Sequence, residues 1–158
     1  MKLRFLLFTL ITFCGLTAMA EEGKKYFEEL STQHPFSQYN YVSPVMLKAL
    51  GSTMLDQSNY VNLPITGNDL TMIETITMDS NSKKIWEIIK KIKSEKKLET
   101  LTTKKMKDNR YDVLASLSKD GNYIENLLVV TQTGGIYVNV VYMEGRIPLD
   151  KIRFSLAN

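Results

Sequence analysis

The first chemistry the sequence offers is that of a carboxylate on an apolar face. In Leu70–Met78 the residues alternate: Leu70, Met72, Glu74, Ile76 and Met78 fall on one side of a strand, and Thr71, Ile73, Thr75 and Thr77 on the other. Glu74 therefore sits among apolar neighbours. A carboxyl buried there would keep its proton to a higher pH and could act as the acid in glycoside hydrolysis. Such a reaction needs a second carboxylate, and Glu125 is the candidate, although nothing in the sequence sets their separation. The alternative makes Glu74 an inward-pointing charge that blunts an edge strand against aggregation, and the pattern favours it.

Other reactive residues are few. His34 is the single histidine, lies between Gln33 and Pro35, and has no Gly-x-Ser-x-Gly partner motif anywhere in the chain. A solvated loop histidine fits this better than a catalytic base. One histidine and one cysteine are also too few for the usual zinc ligand sets. Lys83, Lys84, Lys90 and Lys91, with Lys93, Lys96 and Lys97, make a basic helix face. It could bind phosphate, lipid A-like groups or anionic glycans, or be a solvated face in which Glu87 and Lys91 pair at i, i+4. Tyr39, Tyr41 and Tyr60 could form an aromatic sugar platform, or simply pack at the rim of the core. Gly134-Gly135 reads as a hairpin turn rather than a phosphate loop, since no helix follows. No cofactor motif is present.

The N-terminus looks like an export address. Lys2 and Arg4 precede an apolar run from Phe5 to about Leu16, and Ala18-Met19-Ala20 is a cleavage site of the A-x-A kind. The run is shorter than the roughly 20 residues of a membrane span, and Glu21-Glu22-Gly23-Lys24-Lys25 turns polar at once. Residues 1–20 are thus expected to be a signal peptide and 21–158 one α+β domain. Cys14 lies inside the apolar run. Lipidation there is the weaker alternative, because Phe13 puts a bulky ring where a small residue is wanted. The mature 138 residues would contain no cysteine, and so no disulfide, thiol nucleophile or cysteine metal site.

Charge excludes one class of partner. The whole chain carries +3, but removing Lys2 and Arg4 leaves 18 basic side chains against 17 acidic. No global attraction to nucleic acid or to an anionic membrane remains.

The elements that must position these residues follow from periodicity. Glu22–Ser31 reads as a short helix with Tyr26, Phe27 and Leu30 on one side, and Tyr39–Val42 as a short strand. Ser43-Pro44 starts a second helix, with Ser as cap and Pro at the first position, and Gly51 stops it. Ser52–Asp69 reads as a long loop. After strand Leu70–Met78, Ile85, Ile88, Ile89 and Ile92 recur at i, i+3, i+4, i+7 and predict an amphipathic helix lying on a sheet. Leu98–Met106 is a strand. Arg110–Met143 then reads as a three-strand meander, with turns at Lys119-Asp120-Gly121-Asn122 and Thr133-Gly134-Gly135. Gly145–Pro148 ends it, and Leu149 and Ile152 suggest a terminal helix. Helices early and strands late predict an α+β fold: an antiparallel or mixed sheet with a C-terminal β-meander and amphipathic helices packed on it.

This pattern resembles a known family. Export signal, short helix, Tyr41-Val42-Ser43-Pro44-Val45-Met46-Leu47, strand Leu70–Met78, lysine-rich amphipathic helix, and strands ending in Gly145 and Leu149-Asp150-Lys151-Ile152 are similar to the DUF4252 proteins. The resemblance implies an exported α+β domain of unassigned function, of a kind found mostly in Bacteroidetes, and brings no catalytic residues with it. The reading that results is a non-enzymatic, envelope-associated binding domain in the periplasm or cell envelope. It would bind another envelope protein or a ligand through the sheet or the Ser52–Asp69 loop. The alternatives are a glycan hydrolase using Glu74 and Glu125, and a structural protein that self-associates through a strand edge.

Overall fold

We obtained a computed structural model that describes residues 24–53, 55 and 64–156, the last four as backbone only. The expected signal peptide, Cys14 and Tyr60 lie outside the described residues.

The chain runs α1 (Glu28–Gln33), β1 (Gln38–Val42), α2 (Pro44–Leu50), a 3-10 turn (Gly67–Asp69), β2 (Leu70–Asp79), α3 (Lys83–Glu95), β3 (Glu99–Met106), β4 (Asn109–Leu117), β5 (Tyr123–Thr133), β6 (Tyr137–Pro148) and α4 (Leu149–Leu156). The six strands form one sheet in the order β1-β2-β6-β5-β4-β3. Every neighbouring pair is antiparallel. The fold is therefore α+β, and the sheet is antiparallel rather than mixed. β3 to β6 are a continuous meander, whose last strand closes against β2. α3 carries the chain across the sheet from β2 to the far edge at β3.

Both faces of the sheet are covered. On one, Met72, Ile76, Met78, Leu114, Leu128, Val130, Val138, Val140 and Tyr142 pack under Phe27 and Leu30 and under Ile85 and Ile92 of α3. On the other, Ile73, Val113, Leu127, Val129, Val141, Met143 and Ile147 pack with Leu47 of α2, Ile65 and Ile152 of α4. This double burial explains why Leu127–Val130 and Val140–Met143 are unbroken apolar runs, whereas a strand wet on one side would alternate.

The β2 alternation holds from Met72 to Met78, but Leu70 belongs to the opposite core. A register shift between Leu70 and Met72 on the β6 side turns it over. β6 also runs on through Gly145 to Pro148 instead of ending at Gly145. Gly145 is paired with Leu70 at that shift, and any Cβ there would collide with the Asp69 carbonyl. The glycine permits the two backbones to close up.

The helices show two further departures. α1 begins at Glu28, not near Glu22. Tyr26 and Phe27 precede it because their N–H groups point to a side chain on the sheet, described below. In α3, Ile85 and Ile92 are fully buried, but Ile88 and Ile89 are only half-buried. The stripe is wider than the helix's contact with the twisted sheet. α2 starts as expected, with Ser43 Oγ accepting from Met46 N–H at 3.3 Å and Pro44 at its first position.

α3 ends in a Schellman arrangement: Leu98 N–H donates to Lys93 O at 2.9 Å and Lys97 N–H to Ser94 O at 3.3 Å. The left-handed position, with φ of 52°, is held by Lys97 rather than glycine. Two sets of variants test this account by urea unfolding. Ile92→Ala is expected to cost about 2–5 kcal/mol, the half-buried Ile89→Ala about 1–2 kcal/mol, and the exposed Lys91→Ala less than about 0.5 kcal/mol. Lys97→Gly is expected to stabilise by up to about 1 kcal/mol, the relief of the Cβ clash less the chain entropy of glycine. A destabilised Lys97→Gly would mean that the lysine side chain itself holds the turn.

Candidate functional site

Glu74 is fully buried, on the face covered by α1 and α3. Its Oε2 accepts from Tyr26 N–H at 2.8 Å and its Oε1 from Phe27 N–H at 2.7 Å. The carboxylate thus satisfies the free backbone donors at the start of α1, where negative charge is favoured. Burial pushes its pKa up, the two N–H groups pull it down, and burial wins. Tyr39 is half-buried beside it, with its hydroxyl oxygen buried. Burial and the Glu74 charge push that phenol upward, with the hydroxyl outside hydrogen-bond geometry. β2 pairs with β1 on one side and β6 on the other, so Glu74 does not sit on an edge strand. The edge-blunting role is therefore corrected to a capping role.

Glu125 is elsewhere. It is exposed, at an irregularity of β5 between Ile124 and Asn126. Glu74 pairs with Tyr142, and Tyr142 with Leu128, so Glu125 lies two strands over and three residues along. That spacing puts the two Cα atoms roughly 14 Å apart, and the Glu74 oxygens are turned toward α1. The structure does not bring the two carboxylates together.

The tyrosines do not open into a platform either. Tyr39 and Tyr41 both pack against the core from β1, and Lys25 Nζ stands 4.4 Å from the centre of the Tyr41 ring. His34 caps the C-terminus of α1 and is half-buried instead of solvated, its Nε2 buried without a hydrogen-bond partner. No group of three or more metal-ligating side chains occurs among the described residues.

The lysine face divides. Lys83, Lys84 and Lys91 are exposed, with Lys84 Nζ donating to Gln33 Oε1 at 2.6 Å. Glu87 and Lys91, both exposed, form no ion pair with each other, and such an exposed pair gains little from closing. Lys90 and Lys93 instead stand at the edge of a groove between α3 and the β3–β4 end of the sheet, with a volume of about 410 Å³. Trp86, Ile89, Leu114 and Val130 give it an apolar floor, and Arg110 completes a basic rim. Trp86 is fixed by its Nε1–H, which donates to Ser80 O at 2.8 Å. The one acid in the groove, Asp112, is already engaged: it accepts from Arg110 Nε at 2.6 Å and from Thr103 Oγ1 at 2.7 Å. Three cations thus border an apolar trough whose single carboxylate is satisfied.

Arg110, Asp112 and Thr103 carried no signal in the sequence. Arg110 and Asp112 are i, i+2 on one strand, but only the β3–β4 register sets Thr103 opposite Asp112. Trp86 and Ile89 were legible as part of the helix stripe, and their half-burial was not.

The protein is thus an α+β domain with a helix-flanked antiparallel sheet and one basic-rimmed apolar groove beside α3. It belongs to the family described as Domain of unknown function (DUF4252), whose model matches residues 33–154. No curated protein and no solved structure was found to match the chain. Among the described residues no helix is long and apolar enough to cross a membrane.

The Glu74 geometry makes a pH prediction. Its pKa is higher folded than unfolded, so its ionisation works against folding. Stability from this group is full below the ordinary carboxyl range and falls as pH rises from there to the raised folded value. Glu74→Gln removes that slope and leaves one of the two backbone N–H groups facing an amide NH2, at a cost of about 1–3 kcal/mol. Urea unfolding of both proteins from about pH 4 to about pH 8 should show the wild-type advantage shrinking as pH rises. An advantage that grew with pH would mean that the carboxylate, not the acid, is the favoured buried form.

Proposed function

We propose that this is an exported, non-enzymatic binding domain of the cell envelope or periplasm, and that the groove between α3 and the β3–β4 end of the sheet is its ligand seat. The groove itself carries the reading. Its apolar floor, few fixed polar groups and size are those of small-molecule sites, and Lys90, Lys93 and Arg110 stand at its rim. The export reading rests on the N-terminal Lys2, Arg4, apolar run and Ala18-Met19-Ala20.

The sheet is retained from the sequence reading as the binding surface; residues 54 and 56–63 of the Ser52–Asp69 loop lie outside the described residues. Two of the loop's described residues serve the core: Ile65 is fully buried, Leu55 packs on the second core, and Leu55 N–H donates to Ile65 O at 3.0 Å. Glycan hydrolysis by Glu74 and Glu125 draws no support from the geometry, since Glu74 is inaccessible and holds two backbone donors. Near-neutral mature charge favours no nucleic-acid partner.

The test is comparative. Tagged wild-type protein and Ile89→Glu are recovered from the native envelope, and the small molecules extracted from each are compared by mass spectrometry. The wild type is expected to bring a component that the variant lacks. The same complement from both, or none from either, overturns the groove as ligand seat.

A further inference from the structure

We propose that the ligand of this groove is a single-chain acyl anion, a straight-chain fatty-acid carboxylate; the inference rests on the groove being the ligand seat. Shape argues first. The groove follows β4 from Arg110 to Leu114, four residues or about 13 Å of extended strand. Asp112 is paired with Val130 and Leu114 with Leu128, so the floor along that line is made by consecutive strand pairs. Trp86 and Ile89 of α3 form the opposite wall. A groove of that length, with Trp86, Ile89, Leu114 and Val130 along it, accepts an extended methylene chain.

Charge complementarity decides the head group. Lys90, Lys93 and Arg110 border the trough, and Asp112 alone opposes them. Asp112 is nearly buried and takes the Arg110 Nε and the Thr103 hydroxyl. The terminal nitrogens of Arg110 and the ammonium groups of Lys90 and Lys93 have no acceptor among the described residues. A neutral lipid in the trough would leave these rim cations without a counter-charge. A polyanion or a sugar would leave the apolar floor unmatched, and the Thr103 hydroxyl already donates its hydrogen bond to Asp112. An acyl carboxylate meets both demands: lysine stems lie along the chain while their ammonium groups reach the head.

Trp86 is the only tryptophan of the chain, so its emission reports the trough directly. The probe is sodium laurate below its micellar concentration, added to the mature protein. A saturable blue shift is expected. Its affinity should fall about tenfold or more in the Lys90→Gln/Lys93→Gln double variant and fall with added salt, while Ile89→Glu abolishes it. Both lysines are exposed, so the double variant keeps the fold even if Ile89→Glu does not, and thermal unfolding checks each. Equal affinity for dodecyl maltoside, with the Ile89→Glu effect intact, overturns the anion and leaves the groove standing. So does equal affinity for dodecyltrimethylammonium. Laurate binding unaffected by Ile89→Glu in a folded variant overturns both. No shift with laurate overturns the acyl anion, as does a shift only with anionic phospholipid vesicles, which would make the face a membrane contact.

Discussion

The arrangement depends on one buried carboxylate. Glu74 reaches from the second strand of the sheet to the backbone of Tyr26 and Phe27. Without it, two N–H groups would be buried without acceptors where the chain first meets the core, since Phe27 is fully covered and Tyr26 nearly so. The charge is expensive to bury, and burial prevails in its pKa. The two donors offset part of that expense and fix the register of the N-terminal segment against the sheet. From this point a polar chain extends along the same face. The Tyr26 ring meets Tyr142 edge-on at 5.3 Å. Tyr142 donates to Glu144 at 2.6 Å, which also accepts from Lys96 at 2.7 Å. The Tyr26 hydroxyl donates to Glu95 at 2.9 Å. Both ends of that network hold the C-terminal turn of α3 to the sheet.

The position of α3 then determines what the sheet leaves open. The helix is anchored at Ile85 and Ile92, which are fully buried, and at its last turn through Lys96. Between those anchors Trp86, Ile88 and Ile89 are only partly covered. A helix that crosses from β2 to β3 cannot blanket all the strands, and the β3–β4 end is what remains. The groove is the consequence of a crossover helix on a twisted sheet. β3 itself is exposed along nearly its whole length, with Lys104 and Lys105 on an edge where charge deters unwanted pairing.

Electrostatics sorts the charged groups into two kinds. Glu74, Asp69 and Asp112 are buried or nearly so, and each is matched by hydrogen bonds. Asp69 illustrates the balance: burial alone would raise its pKa, but Lys151 and Thr66 hold it below the usual range. Along α3 the lysines are hydrated and, apart from Lys96 and the Lys84–Gln33 contact, face no acceptor. The buried acids of the described residues are structural, and two of the hydrated lysines, Lys90 and Lys93, lie at the groove.

The sequence by itself determined the elements whose signal is local. The isoleucine period of α3, the Ser43-Pro44 start of α2, the β2 alternation and the glycine turns of the meander depend on neighbours a few residues apart. Backbone sterics and burial act at that range. Family membership was legible for the same reason, being a pattern of such elements. What only the tertiary structure decided depends on pairing across the chain. Glu74 reads as an inward charge from β2 alone, but its meaning comes from backbone donors 47 and 48 residues away. The flip of Leu70 needs the β2–β6 register, and the start of α1 needs the Glu74 contact. The groove needs α3, β3 and β4 at once, so Arg110 and Thr103 were silent. Side-chain type is written in the sequence; which buried donor meets which acceptor is set by strand order, and no local period encodes that.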